Sequence, residues 1–239
     1  MPAREKPADW GRQIRTMFTR ISKHYDLMNR LMTFGQDTTW RRRVATAAAV
    51  SANARVLDIG AGTGGIGREM IANGEGRTAV CADFTPEMMQ VGRGRPGGDR
   101  LHWCAADALH LPFADDAFDA VVSGYLIRNV RSAAEAFREQ VRVTAPGGRV
   151  VCLDTTPPQS SVISPLLGCF MTHIIPLMGR LISGDRDAYA YLPESTRRFL
   201  SPPALAAVMG EAGLTHLRWR TFMFGTMAIH VGEKPGGRP

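Results

Sequence analysis

Asp58, Asp83 and Asp107 each fall at the end of a short apolar run, in "ARVLDIG", "RTAVCADF" and "RLHWCAAD". The first run leads into a turn carrying Gly60, Gly62 and Gly64, where the backbone can approach a ligand closely and adopt conformations closed to other residues. All three glycines are expected to line a cofactor. A glycine-rich turn alone is a weak signal, and the dinucleotide pattern fits this one in two registers. The carboxylates discriminate. Asp58, two residues before the first glycine, suits an amino group, which a dinucleotide does not present there. Asp83 lies where a carboxylate accepts both hydroxyls of a ribose. Asp107 is placed for an adenine amino group. A zwitterionic amino acid, a ribose and an adenine in one line are S-adenosylmethionine (SAM). Phe84 and Ala108, the next residues along, belong to the same expected site. Thr63 in the turn and Ser123 further on either contact the methionyl part or satisfy local backbone.

A second constellation follows the run "AVVSGYLIRNV", Ala120 to Val130. Its first part reads as a buried strand. Arg128 and Asn129 then arrive with no proline or glycine between. A guanidinium at the mouth of an apolar strand is costly unless something there needs it. The alternatives are a ligand oxygen or an ion pair with a carboxylate such as Asp154.

These residues need elements to hold them. From residue 54 strands and helices alternate. Helices are expected over about Gly65 to Ala72, from Thr85-Pro86-Glu87, and from Ser132; "APGG" then turns the chain into "RVVCLDT", the fifth strand. "SPPALAAVMGEAGL" reads as a capped helix, and "LRWRTFMFGTMAIHVGEK" as two strands joined at Phe224-Gly225. The sum is a doubly wound α/β domain over about 51–239, ending in an antiparallel hairpin. Residues 1–50 form an N-terminal helical extension. Ile14, Phe18, Ile21, Tyr25, Met28 and Met32 fall three or four apart, the face of one helix, with a second from about Asp37 to Val50.

The chain has 239 residues, 44% hydrophobic and 21% charged, which suits one soluble domain. No apolar run long enough for a membrane span occurs, and "MPAREKPADW" has no signal-peptide core, so a cytoplasmic protein is expected. Cys81, Cys104, Cys152 and Cys169 show no metal-binding spacing, and no metal is expected. The net charge of +7 is partly concentrated in residues 1–50, with ten Lys/Arg against four Asp/Glu. That balance fits a solvated face, nucleic acid or an anionic membrane surface. A nucleic-acid methyltransferase would add an RNA-binding domain, an NPPY-type motif or a catalytic cysteine pair; the sequence has none, and no nucleic-acid partner is expected.

Four stretches occur in order: "YDLMNRLMTFGQDTTWRR", "DALHLPFADDAFDAVVSGYLIRNV", "PGGRVVCLD" and "DAYAYLPESTRRF". Together they resemble the UbiE/MenG family, the C-methyltransferases of menaquinone and ubiquinone biosynthesis, from about Phe18 to Lys234. The resemblance implies a class I SAM-dependent methyltransferase, Rossmann-like, with a seven-stranded sheet and an antiparallel last strand. It implies methylation of a ring carbon on a prenylated lipid quinol, with demethylmenaquinol preferred over 2-methoxy-6-polyprenyl-1,4-benzoquinol. Arg128 would then stabilise developing phenolate charge, Asn129 would hold a second oxygen or a water, and Tyr25 of the "YD" pair would relay a proton. Where the family commonly has "FGLRNV" this chain has "GYLIRNV", and Asp154 stands where a Glu is common. These departures keep an alternative open, a methyltransferase of a small-molecule specialised metabolite.

The stretch at about 157–200 is long for a connection and rich in Ile, Leu and Met, so it is expected to hold its own helices as a lid over a prenyl chain. With the basic N-terminus it would give peripheral contact with the inner face of a membrane. Within it, "YLPESTRRF" reads as a salt-bridged loop at the edge of the site. Oligomeric state is not legible; a homodimer is compatible.

Overall fold

β1 (Arg55–Ile59) is buried at every residue but the first, the signature of a strand covered on both faces. It pairs in parallel with β2 (Thr78–Asp83) and β4 (Phe118–Gly124). β3 (His102–Ala105) extends one side and β5 (Thr144–Thr155) the other, both parallel. β7 (Met227–Glu233) runs antiparallel to β5, and β6 (Thr215–Phe222) pairs with β7 at the outer edge. The seven strands lie in the order β3-β2-β1-β4-β5-β7-β6. The expected hairpin is present, and its reversed strand sits inside the sheet rather than on its rim. The structure is a computed structural model, describing residues 9–72, 74–157 and 168–236.

Apolar side chains alternate along the strands to feed two cores. One face, with Leu57, Ile59, Val121 and Val150, packs on α6 (Ala133–Val143) and α9 (Pro202–Glu211). The other, with Val56, Ala120, Val122 and Val151, packs on α3 (Gln36–Ala48) and α4 (Gly65–Ala72) through Trp40, Val44, Ile66 and Met70. Ser132 caps α6, its hydroxyl accepting from Glu135 N at 3.2 Å, as its position predicted. α5 (Pro86–Arg93) begins with Pro86, as expected, and Thr85 holds the cap position without a side-chain cap bond.

A third cluster lies off the sheet. Ile21, Met28 and Met32 pack with Ile175, Ala188 and Tyr189. These come from α1 (Trp10–Ile21), α2 (Tyr25–Met32), α7 (Ile175–Ile182) and α8 (Arg186–Arg198). The N-terminal helices and the insertion therefore share one small core and form a single cap, while α3 belongs to the sheet. The expected single helix through Ile14 and Met32 is broken at Ser22–His24. The break lets α1 reach α5 while α2 turns towards α7.

The lid carries helices, as expected, although 158–167 lies outside the described residues. "YLPESTRRF" is no loop; it is the body of α8. Asp185 caps it, accepting from Ala188 N at 3.0 Å, and Tyr189 and Leu192 are drawn into the cap core. That burial outweighs the hydrogen bond lost at the internal Pro193. Arg198 pairs with Glu194 one turn away.

Candidate active site and cofactor cradle

The ends of β1, β2 and β3 bring the three aspartates to one edge of the sheet. Asp58 is 1% exposed. Its Oδ2 accepts from Gly67 N, in the first turn of α4, at 2.8 Å, while its Oδ1 is buried with no partner among the described residues. Burial pushes its pKa up to about 7, against the downward pull of the Gly67 bond and of Arg41 and Arg68. A buried carboxylate oxygen without a donor is the atom a ligand ammonium would satisfy.

Asp83 spans the glycine turn. Its Oδ2 accepts from Gly62 N and its Oδ1 from Thr85 N, both at 2.7 Å. Each oxygen keeps a lone pair for a ribose hydroxyl. Burial raises its pKa, and the backbone N–H donors oppose this. Asp107 is exposed, with Oδ1 accepting from Leu109 N at 2.9 Å; Ala108 beside it is buried. Gly60 and Gly62 have φ of +63° and +56°. A Cβ on Gly60 would lie 2.8 Å from Leu126 Cδ1, so the turn needs glycine for both conformation and space.

The third glycine of the turn is required by protein packing. Gly64 also has a positive φ, +75°, but its open side faces protein. A Cβ there would lie 2.7 Å from Trp103 Cη2 and 2.9 Å from Leu101 Cδ1. Its N–H is taken by Ala61 O at 2.8 Å, and its carbonyl accepts from Arg68 N at 3.0 Å. Gly64 thus closes the turn and starts α4 against the β3 side of the sheet.

Other expected cofactor contacts also have different surroundings. The Thr63 hydroxyl donates to Asp26 Oδ1 at 2.7 Å, which ties the glycine turn to α2. Ser123 is fully buried and pairs across strands with Ile59 and Cys152, on the sheet face opposite Asp58. Phe84 stays 45% exposed, with the Arg15 guanidinium 5.8 Å from its ring centroid. Thr19 of α1 donates to Glu87 at 3.1 Å. The cap therefore closes on the edge of the cradle.

Arg128 takes up the ion pair that its sequence context left open. Its Nη1 lies 2.6 Å from Asp154 Oδ1 in a buried ion pair, and its backbone N donates to Asp154 Oδ2 at 3.1 Å. The same side chain lines a mostly apolar cavity between sheet and cap. The cavity takes Asn29, Met32 and Thr33 from α2 and its end, Trp40 from α3, and Tyr125 and Thr155 from the strand ends; Phe170, Ile175 and Leu192 of the insertion and Met223, Thr226 and Met227 of the hairpin close it.

Asn129 is held from three directions. Its Nδ2 donates to Tyr125 O at 2.8 Å, its Oδ1 accepts from Tyr191 at 2.9 Å, and its carbonyl accepts from Trp10 Nε1 at 2.6 Å. One amide hydrogen remains for an acceptor or a water. Tyr25 stands between the two halves of the site. Its Cε1 is 3.9 Å from where a Gly62 side chain would start, and its phenol feels the charge of Arg128. Burial raises its pKa, with Asn29 pulling the other way.

Three residues escaped sequence reasoning. Arg41 belongs to the run Arg41-Arg42-Arg43 in the basic first fifty residues, yet its side chain is only 16% exposed. It pairs with Asp37 at 3.1 Å and lies over Gly65 at the start of α4. The i, i+4 spacing from Asp37 was the available signal. Tyr125 was seen only as a departure in "GYLI", and its hydroxyl is buried without a partner among the described residues. Tyr191 sat in the supposed loop.

A seven-stranded sheet with one reversed strand, and carboxylates at the ends of β1, β2 and β3, defines a class I SAM-dependent methyltransferase fold. Solved structures agree on the fold. They include the [4+2]-cyclase SpnF (TM-score 0.69, 15% identical, covering 94% of this chain and 96% of that one). A SAM-dependent methyltransferase of Thermotoga maritima gives 0.66 at 16% identity, covering 92% and 98%. Residues 8–234 match the ubiE/COQ5 methyltransferase family, and the chain belongs to it. It is 42% identical, over 94% of its own length and 91% of the relative's, to a ubiquinone/menaquinone biosynthesis C-methyltransferase UbiE of Desulfotalea psychrophila. It is 41% identical to a demethylmenaquinone methyltransferase of Thermus thermophilus, covering 92% and 100%.

Proposed function

We propose that this chain transfers a methyl group from SAM to a ring carbon of a prenylated quinol, demethylmenaquinol first, working from the cytoplasm on the inner face of a membrane. The observation that carries this reading is the placement of Arg128 at the wall of a mostly apolar cavity between sheet and cap. The names of the relatives supply the acceptor class.

SAM, when bound, supplies a methyl already activated on sulfur. The residues do the rest. Asp58 Oδ1 receives the ammonium, Asp83 the ribose and Asp107 the adenine. Arg41, over the start of α4, faces the carboxylate of the amino-acid part. Arg128 is permanently protonated and cannot serve as a base; it holds an acceptor oxygen and stabilises the phenolate charge formed there when the hydroxyl gives up its proton, which makes the ring carbon nucleophilic. Asp154 keeps the guanidinium in one orientation. Tyr25, protonated at neutral pH, relays the proton between acceptor hydroxyl and solvent, and Asn129 orients a water with its remaining hydrogen. The cap aligns ring and methyl and excludes bulk water.

The test is one assay. Purified protein, SAM and either reduced demethylmenaquinone or reduced 2-methoxy-6-polyprenyl-benzoquinone are incubated, and the ring product is weighed by mass spectrometry. Methylation of the naphthoquinol ring is expected; methylation of neither overturns the reading.

A further inference from the structure

The described large apolar side chains left exposed are concentrated on two helices. Leu27, Leu31 and Phe34 lie on or just after α2, and Ile174, Leu177 and Leu181 on or just before α7; Phe34 and Leu181 reach 70% and 75% exposure. Leu27 and Leu31 are four apart on one face of α2, as Leu177 and Leu181 are on α7, while Phe34 follows the end of α2 with φ +52°. The flanking sides, one residue on, carry Met28, Met32, Ile175 and Ile182, which fill the cap core. Both helices are thus apolar on two sides, and only one side is covered. Phe34 stacks on Phe170 at 5.5 Å and joins the two stripes.

Charge selects the occupant. Lys23, Arg30 and Arg180 are exposed around these stripes. Residues 168–184 contain no Asp or Glu. The one carboxylate of α2, Asp26, points away, to Thr63 and Arg95. A second copy docked about a two-fold axis would bring these cations against their own images. An anionic lipid surface accepts both the apolar stripes and the basic border. The cavity beside Arg128 is walled by the inner sides of the same helices, through Met32 and Ile175.

We infer that the outer faces of α2 and α7 form a docking face for an anionic lipid bilayer, which delivers a lipid acceptor to the cavity behind them. The inference rests on the proposed lipid acceptor for its purpose, while its geometry stands apart from it.

Full-length protein is sedimented with vesicles of phosphatidylcholine and phosphatidylglycerol, and with phosphatidylcholine alone, without any acceptor. Binding to the anionic vesicles is expected, weakening with salt. Leu177→Glu with Leu181→Glu lowers it at least about tenfold, and Arg30→Gln with Arg180→Gln removes the preference for anionic lipid. Both pairs keep the wild-type Tm, SAM affinity and turnover of a short-chain soluble acceptor, and the first loses turnover of long-chain acceptor held in vesicles. Failure of the wild type to bind vesicles, or equal binding by the variants, overturns the inference. So does sedimentation velocity that finds a wild-type dimer made monomeric by Leu177→Glu/Leu181→Glu with vesicle binding untouched. Because vesicle binding is read without acceptor, the acceptor assignment is tested separately.

Discussion

Arg128 and Asp154 form a buried ion pair, Nη1 to Oδ1 2.6 Å, across the ends of two adjacent strands, with the arginine also on the wall of the acceptor cavity. The carboxylate fixes one edge of a planar fork, so in the proposed reaction the cation would meet an acceptor oxygen without first being oriented. Arg128→Lys keeps the charge and loses the fork. It is expected to bind SAM as the wild type does and to lose about 100-fold in kcat, the scale of one lost transition-state donor. Unchanged turnover at saturating acceptor would leave the pair a purely structural one.

Asp154 also accepts from Thr155 N at 2.8 Å, so its removal takes the Asp154 carboxylate from a buried cation and from two backbone donors. Breaking a buried pair by deleting one partner costs about 3–5 kcal/mol. Asp154→Ala is expected to lower stability by that amount in urea unfolding. Asp154→Glu, the residue common in the family, should restore most of it.

The pKa of Asp58, about 7, carries a sign that can be measured. Burial raises it, so the folded protein holds the proton more tightly than the unfolded chain. The ligand-free protein therefore loses stability from this group as pH rises from the ordinary carboxylate range to about 7, and no further above that. SAM affinity runs the other way, because its ammonium pairs with the ionised form. Calorimetry is expected to find SAM binding strengthening by up to about tenfold per pH unit below 7. Asp58→Asn should bind weakly with no slope; an unchanged slope would place the titrating group elsewhere.

The sheet and the aspartate line were legible in the sequence because each is local. An apolar strand, a glycine and a carboxylate follow one another within a few residues, as at Val56 to Gly62. Gly64 shows the limit of that locality. Its spacing marked it as a glycine the turn needs, but the neighbours that demand it, Leu101 and Trp103, lie almost forty residues on. The cap was legible only as composition. Its core joins Ile21 and Met28 to Tyr189, more than 150 residues on, and no periodicity reports that pairing. The same distance hid the partners of Asn129, which come from Trp10 and Tyr191. Arg41 was hidden by its neighbours, since Arg42 and Arg43 face outward in the same run.

Tyr125 aligns with the Phe of the common "FGLRNV" when the RNV residues are matched, and it adds a hydroxyl to the cavity. The residue is held at φ +59° by its own N–H on Leu153 O and by Asn129 on its carbonyl. The hydroxyl is buried without a partner among the described residues, and burial raises its pKa. An unsatisfied buried hydroxyl costs about 1–3 kcal/mol. Tyr125→Phe is therefore expected to raise the Tm of the ligand-free protein, by a few degrees for a domain of this size. If the hydroxyl meets an oxygen of the acceptor, the same change lowers kcat/KM by about tenfold with SAM affinity unchanged. A higher Tm with unaltered kcat/KM would show that no acceptor atom reaches it, and the acceptor ring would then have to sit nearer α2, on the Asn29 side of the cavity.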